Sequence, residues 1–131
     1  MDASLFAIQP AAAEPIYRQI LGQLQRLIAG GQLAAGERLP SVREMAGFHA
    51  INPMTVSRAW NLAEAEGLLE RQRGKGMVVA ATPTASHDHE QRLALLEPQM
   101  DALVRQAQEL ELPVDAVLER LAALMGEDPL A

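Results

Sequence analysis

The stretch NPMTVSRAWNLAEAEGLLERQRGKGMVV, residues 52–79, contains the features that decide the fold. Asn52 followed by Pro53 is a strong helix start, because asparagine caps the first turn and proline fits the first helical position. We predict a helix from this point to about Glu66, where Gly67 ends it. Leu68–Gln72 and Met77–Ala81 then have the composition of two short strands of a β-hairpin.

The hairpin tip, RGKG, concentrates cations in a chain whose net charge is −6. Such a loop could be a phosphate cradle, a flexible linker or a contact to a polyanion. A nucleotide-binding cradle requires a Lys-Ser/Thr pair followed by a helix, and here the lysine precedes an apolar strand. A linker would not be bracketed by apolar runs. We therefore predict a hairpin tip that reaches a polyanion, with Arg73, Gly74, Lys75 and Gly76 at the contact.

Two further helices precede this unit. Apolar residues recur at helical spacing from Pro15 to about Ala29, after a start that we predict to be loose. Ser41 and Glu44 form a capping box that begins a short helix through about Phe48. Three helices followed by a hairpin form a winged helix-turn-helix, in which the hairpin is the wing.

This arrangement predicts a DNA interface. The third helix would lie in the major groove, and its early residues, mostly small and polar, would reach base edges. The exposed amides at the start of the second helix would face phosphate. The predicted contacts are Ser41 and Arg43 on the second helix and Asn52, Met54, Thr55, Ser57 and Arg58 on the third.

Four motifs in residues 38–79 resemble the DNA-binding domain of GntR-family bacterial transcription regulators. They are LPSxRxxA, NPxTVxRA, EGLL and RGKG, in that order, and with the first helix the resemblance covers residues 15–80. It implies that Arg43 contacts DNA from the second helix and that Asn52, Pro53, Met54, Thr55 and Ser57 face the groove. It also places Arg73 and Gly74 at wing-tip contacts, with Lys75 and Gly76 beside them. Met54 departs from the family pattern, because asparagine is frequent at this position.

The remainder of the chain has a different composition. Residues 83–131 carry three lysines and arginines against ten acidic residues, whereas residues 1–82 carry eight against seven. We therefore predict a DNA-binding domain at 1–82 and a helical tail at 83–131. The tail, which contains LEPQMDALVRQAQELELPVDAVLERLAALM, is similar to the two-helix dimerisation tail of the YtrA-like subfamily.

Apolar residues of the tail recur three and four positions apart, which is typical of helices that pack against a second chain. Pro98 should kink or restart the first tail helix. Pairing two copies would present two recognition helices to a palindromic operator. The predicted dimerisation residues are Leu93, Leu96, Met100, Leu103, Ala107, Leu110, Val114, Val117, Leu121 and Leu124.

Several residues have more than one interpretation. Arg58 is either a phosphate contact or an ion-pair partner of Glu64 or Glu66. Trp60, the only tryptophan, is predicted to lie in the core together with Tyr17 and Phe48. His49 at an apolar position favours a satisfied core residue over a pH sensor. His87 and His89, flanked by Asp88 and Glu90, have the look of a metal pair, but alternating helical residues do not converge, so no metal is predicted.

The predicted function is a sequence-specific transcription regulator, with repressor favoured over activator. No catalytic constellation or cofactor motif is present, so we predict a non-enzyme that is cytoplasmic and has no membrane partner. An effector, if one exists, could act around Thr82–Glu90 or at the dimer interface, and no residue pattern names it. The alternative is a protein-interaction adaptor that has lost base readout. The polar set Arg43, Thr55, Ser57 and Arg73 favours the regulator.

Overall fold

The computed structural model describes residues 3–81 and 89–126, which fall into two compact units divided between Arg92 and Leu93. The first unit has a 3-10 turn at Ala3–Leu5, then helices α1 Ile16–Ala29, α2 Val42–His49 and α3 Pro53–Ala65, then strands β1 Leu69–Gln72 and β2 Gly76–Val79. The predicted boundary at residues 82 and 83 lies outside the described residues. It stays a prediction.

The two strands pair antiparallel, from Leu69 opposite Val79 to Gln72 opposite Gly76. This is the predicted hairpin. The segment before α2 adds a partner that the sequence pattern did not indicate, because Arg38 bridges Val78 on the other edge of β2. Leu39 N–H donates to the Met77 carbonyl oxygen at 2.9 Å, and this bond fixes the hairpin to the start of α2.

The core of the first unit lies between the three helices and the hairpin. Its fully buried side chains come from the three helices and both strands: Ile20, Leu24, Met45, Val56, Leu69, Val78 and Val79. Trp60 is buried as predicted, and its Nε1–H donates to the Pro40 carbonyl oxygen at 3.3 Å. Tyr17 packs at the edge of this core, again as predicted. Burying large aliphatic side chains from all elements is what holds such a small unit together.

Phe48 was predicted to lie in the core, and this prediction is wrong. The side chain is 60% exposed and contacts the His49 ring edge-on, with 4.8 Å between ring centroids. It sits in the last turn of α2, where the helix turns its polar side outward. His49 is half-buried, and its Nε2 lies 2.9 Å from the Ala3 carbonyl oxygen, so it has the satisfied environment that we predicted.

Residues 3–9 are docked on the helices, whereas a loose start was predicted. Phe6 is 3% exposed and meets Trp60 edge-to-face with 5.8 Å between ring centroids. Two glutamines of α1 hold the segment that follows. Gln23 bonds both backbone groups of Ala7, and the buried Gln19 accepts from Gln9 N–H at 2.9 Å. Amide side chains that satisfy extended backbone leave no periodic pattern in a sequence, which is why this docking was missed.

Three helices follow the hairpin. α4 spans His89–Ala94 and contains the division between the units, while α5, Glu97–Glu109, and α6, Val114–Leu124, lie in the second unit. Pro98 lies in the first turn of α5, so it restarts the helix and does not kink it. α5 and α6 are joined by a turn in which Glu111 has a φ of 53°. No residue of α5 or α6 is buried.

Candidate nucleic-acid interface

Helix α3 has one buried face and one exposed face. Val56, Ala59, Trp60 and Ala63 are buried. The residues between them line an open depression on the outer side of the helix. Three of them carry polar groups and two are apolar: Ser57, Arg58 and Asn61, and Met54 and Leu62. The outer face of α3 is therefore chemically mixed, with both polar and apolar groups presented outward.

The start of α3 is shaped by Asn52. Its Oδ1 accepts from Met54 N–H at 2.8 Å and caps the helix, and Pro53 occupies the first turn as predicted. This bond uses the amide oxygen and leaves the NH₂ group for an outside partner. Thr55, predicted as a base contact, is half-buried, whereas Met54 stands out with 78% of its surface exposed.

Helix α2 begins with the predicted capping box. Ser41 Oγ accepts from Glu44 N–H at 3.0 Å, and Glu44 Oε1 accepts from Ser41 N–H at 3.3 Å. Arg43 is exposed in the first turn. The helix start and an adjacent cation together make a local environment that suits phosphate.

A cleft of about 190 Å³ joins the start of α2, the middle of α3 and the hairpin. It brings together three residues that were predicted separately as DNA contacts: Ser41, Ser57 and Gly76. Asn61 and Arg71 also line it, and sequence reasoning missed both. Arg71 lies in the basic stretch, but its assignment to a strand gave no indication that it faces α3.

Arg71 links the hairpin to α3 through two exposed contacts. Its Nη2 lies 3.6 Å from Glu64 Oε1 and 3.4 Å from Asn61 Oδ1. An exposed ion pair of this kind contributes little to stability. Its effect is to hold a guanidinium at the mouth of the cleft.

The hairpin tip is a tight turn built on glycine. Gly74 and Gly76 have φ values of 81° and 79°, a conformation that side chains rarely adopt. Lys75 N–H donates to the Gln72 carbonyl oxygen at 3.1 Å and closes the turn. Arg73 and Lys75 are exposed on either side of Gly74. The tip thus presents two cations and an uncovered backbone.

Arg58 stacks on an aromatic ring, a contact that neither of its two predicted interpretations included. Its Cζ atom lies 3.9 Å from the centroid of the Tyr17 ring, a cation–π stack between α3 and α1. Arg18 approaches the same ring at 5.6 Å. Within the described residues the predicted ion pair with Glu64 or Glu66 is not found, since Glu64 pairs with Arg71 and Glu66 accepts from Gln25. The proposed phosphate contact of Arg58 stays a prediction.

The described residues contain no group of three His, Cys, Asp or Glu side chains arranged to hold a metal. His89 and Glu90 begin α4, whereas their predicted companions His87 and Asp88 lie outside the described residues. No helix in residues 3–81 and 89–126 is long and apolar enough to cross a membrane.

Comparison with protein families matches residues 16–79 to the bacterial regulatory proteins of the gntR family. YhcF of Bacillus subtilis (strain 168), named an uncharacterized HTH-type transcriptional regulator, is 32% identical over 108 residues, which are 82% of this chain and 88% of YhcF. The chain belongs to the GntR family. This GntR protein is a transcription regulator with a helix-turn-helix DNA-binding domain and not an enzyme.

Other relatives match the chain to different extents. The transcriptional repressor YtrA of Bacillus subtilis (strain 168) is 41% identical over 76 residues, and the chain spans 58% of its length. The solved structure of YtrA from Sulfolobus acidocaldarius, a GntR-family transcription factor, has 28% identity and a TM-score of 0.56 over 80% of this chain and 98% of its own. A transcriptional antiterminator from Listeria monocytogenes EGD-e has a TM-score of 0.63 over 93% of the chain at 25% identity. The predicted mostly α fold, a winged helix-turn-helix followed by tail helices, is confirmed.

The predicted dimerisation residues divide into two groups in the second unit. Leu103, Ala107, Val117 and Leu121 are half-buried between α5 and α6. The others remain exposed: Leu93 on α4, Leu96 before α5, and Met100, Leu110, Val114 and Leu124. An apolar groove of about 300 Å³ runs between the two helices. A contiguous apolar surface of this kind marks an interaction site.

Proposed function

We propose that this GntR protein is a repressor that binds a palindromic operator as a homodimer. α3 lies in the major groove, and the hairpin tip contacts the adjacent groove or the backbone. The observation that supports this most directly is the cleft shared by Ser41, Ser57 and Gly76, because it gathers the start of α2, the face of α3 and the hairpin on one side of the first unit.

Base readout is assigned to the first two turns of α3. Asn52, Thr55 and Ser57 carry amide or hydroxyl groups that suit base edges, and Met54 projects beside them. Pro53 sets the direction in which the chain enters the helix. The groups are short, so the helix backbone must approach the groove closely.

Phosphate binding is assigned to the cations around this face. Arg43 lies on α2 and Arg58 lies on α3 itself, while Arg73 and Lys75 extend from the hairpin tip. Gly74 and Gly76 let the tip backbone lie against DNA without side-chain interference. The net charge of −7 over residues 83–131 disfavours contact between the tail and the same DNA.

Homodimerisation is assigned to the tail, because α5 and α6 have no buried residue of their own. Two short amphipathic helices gain stability only when their apolar faces are covered. A second copy covers them with the same surface through a two-fold axis, and that symmetry matches a palindrome. YtrA of Bacillus subtilis is named a repressor, and a dimer that occupies promoter DNA would act by obstruction.

The proposal is tested by selection of the purified chain against a random duplex library, followed by sequencing of the enriched DNA. We expect a two-fold symmetric motif, bound with a dissociation constant in the nanomolar range. Retention of DNA without an enriched motif would reduce the interaction to charge-driven contact and contradict sequence-specific repression.

A matched pair of variants then tests the hairpin tip. Arg73→Ala removes a proposed phosphate contact, whereas Arg105→Ala removes an exposed cation of α5. We expect Arg73→Ala to weaken operator binding and to lower the salt dependence of log Kd by about one unit per protomer. Arg105→Ala should leave both quantities unchanged, and equal effects of the two variants would show that only net charge matters.

A further inference from the structure

Exposed large apolar side chains are uncommon on the first unit, and one of them occupies the leading turn of α3. Met54 is 78% exposed, beside groups that can hydrogen-bond. Its backbone N–H is held by Asn52 Oδ1 at 2.8 Å, so the position of the residue is fixed although its side chain has no covering neighbours. A thioether chain left in water at this position gains nothing for folding.

The surroundings of Met54 indicate what covers it. The depression that it lines also contains Ser57, Arg58 and Asn61, each with a polar group. The cleft beside the helix is lined by residues from the start of α2 and from the hairpin, among them the cation Arg71 and Gly76, which follows the exposed Lys75 in the chain. A protein partner would have to match the hydroxyl, guanidinium and amide groups of Ser57, Arg58 and Asn61 as well as the apolar side chains of the same depression. Duplex DNA offers phosphates for the cations, polar base edges for the hydroxyl and amide groups, and one apolar group in the major groove, the C5-methyl of thymine.

We propose that Met54 reads a thymine methyl group in each half-site of the operator. This inference rests on the proposed function and goes further, because it names the base and the atom that one side chain recognises. The Met54 side chain is flexible and polarizable and therefore adapts to the methyl group without a demanding geometry. The neighbouring hydroxyl and amide groups bond to other base edges, so thymine at this position is selected by apolar contact alone.

The thymine methyl group that Met54 is proposed to contact can be removed from the DNA without changing the hydrogen-bonding groups of the base. Deoxyuridine keeps every donor and acceptor of thymine and lacks only the C5-methyl group. Once selection has given the operator, duplexes are made in which each thymine is replaced singly and then in symmetry-related pairs. Kd is measured at one fixed salt concentration for the full wild-type chain, Met54→Ala and Leu62→Ala.

Leu62→Ala is the matched control. Leu62 is the other large apolar residue of the same depression, 36% exposed, but it lies two helical turns from Met54 and away from the helix start. Both truncations remove exposed apolar surface, so both variants should fold as the wild type does, which Trp60 fluorescence reports.

We expect one thymine per half-site at which deoxyuridine weakens wild-type binding roughly three- to fivefold, the effect of burying one methyl group. Because Met54→Ala changes both protomers, it should bind the thymine operator with the loss of the symmetry-related deoxyuridine pair, roughly 9- to 25-fold, and show no further loss with deoxyuridine. Leu62→Ala should keep the full thymine preference. This pattern is specific to a direct contact between the side chain and the methyl group.

Two results would overturn the inference in different ways. If an operator is found but no deoxyuridine position weakens binding, or if Met54→Ala retains the same thymine preference as wild type, the methyl contact is wrong and the regulator proposal stands. If selection yields no enriched motif, sequence readout fails as a whole, and the proposed function falls together with the role of Met54.

Discussion

At the scale of single residues, the Tyr17 ring of α1 makes a cation–π contact with α3. Arg58 stacks on it at 3.9 Å and Arg18 approaches at 5.6 Å, so the ring joins α1 to the middle of α3. The stack fixes a guanidinium that would otherwise move freely on the helix surface. Because α1 is far from α3 in sequence, the ring also ties the position of the recognition helix to the core.

A double-mutant cycle between Tyr17→Leu and Arg58→Ala should give a coupling free energy of about 0.5–1 kcal/mol in urea unfolding. The same cycle with Arg18→Ala in place of Arg58→Ala should give a smaller value, because the guanidinium lies farther from the ring. Tyr17→Phe keeps the ring and should keep the coupling. A larger coupling for Arg18 than for Arg58 would contradict the stack.

The hairpin tip offers a second residue-scale test, based on one chemical change in two conformations. Gly74 has a φ of 81°, whereas Gly47 lies inside helix α2, and neither has an atom within 4 Å of an added Cβ. Gly74→Ala should lower the free energy of unfolding by about 1 kcal/mol, since alanine is strained at positive φ. Gly47→Ala should raise it by about 0.5–1 kcal/mol. Urea unfolding measured by Trp60 fluorescence gives both values, and shifts of the same sign would contradict the backbone assignment.

Residue environments could be predicted where one strong pattern acts alone. Trp60 lies on the apolar face of a long helix, and its burial followed from that position. Phe48 lies at the end of an eight-residue helix, where one residue of shift turns a side chain outward. The position of Arg58 depends on a ring that is distant in sequence, and a local charge pattern points only to acidic neighbours.

At the scale of elements, the 3-10 turn and the extended segment after it form part of the core. Phe6 fills the space beside Trp60, while Gln19 and Gln23 satisfy the backbone of residues 7 and 9. The segment therefore covers α1 and reaches α2 through the bond between His49 and Ala3. This docking connects the chain start to the helix that precedes the recognition helix.

Phe6→Ala should lower the free energy of unfolding by about 3 kcal/mol, because it removes a ring that is 3% exposed and leaves a cavity against Trp60. Leu5→Ala, one residue earlier in the chain, changes a side chain that is 49% exposed and should have an effect below about 0.5 kcal/mol. Urea midpoints provide the comparison. If Phe6→Ala unfolds like wild type, the segment does not contribute to the core.

Helix boundaries could be predicted because particular residue types mark the ends of helices. The capping box at Ser41 and the Asn52-Pro53 start place α2 and α3 within one residue of the predicted bounds. Pro98 was predicted to kink or restart a helix, and its place in the first turn of α5 shows that it restarts the helix. The bridge of Arg38 to β2 was missed, since an isolated pair of residues has no periodicity to detect.

At the scale of the whole molecule, the two units differ in both charge and burial. The first unit has a core and near-neutral charge, with exposed cations around one cleft. The tail helices are acidic and have exposed apolar faces. The first unit thus has a core of its own and exposed cations, whereas the tail helices carry apolar faces that the proposed partner would cover. This division follows from composition, but the choice of a second copy as partner follows from the symmetry of the proposed operator.

The tail prediction can be tested without disturbing the first unit. Leu103 lies half-buried on the apolar side of α5, and Arg105 lies on its exposed polar side. Leu103→Glu places an unpaired charge at the proposed dimer interface, where burial costs several kcal/mol. We expect sedimentation velocity to give a dimer for wild type and a monomer for this variant, while Trp60 fluorescence remains native.

The loss of the dimer in Leu103→Glu should also weaken operator binding. A monomer contacts one half-site at a time, so Leu103→Glu should lose the affinity gained from joining two half-sites, of order 100-fold or more. Arg105→Glu alters the charge of the same helix on its other side and should remain dimeric with wild-type affinity. If Leu103→Glu stays dimeric, or if Arg105→Glu dissociates equally, the two copies meet through a surface other than the apolar face of α5, and the two-fold arrangement of the recognition helices must be derived from that surface.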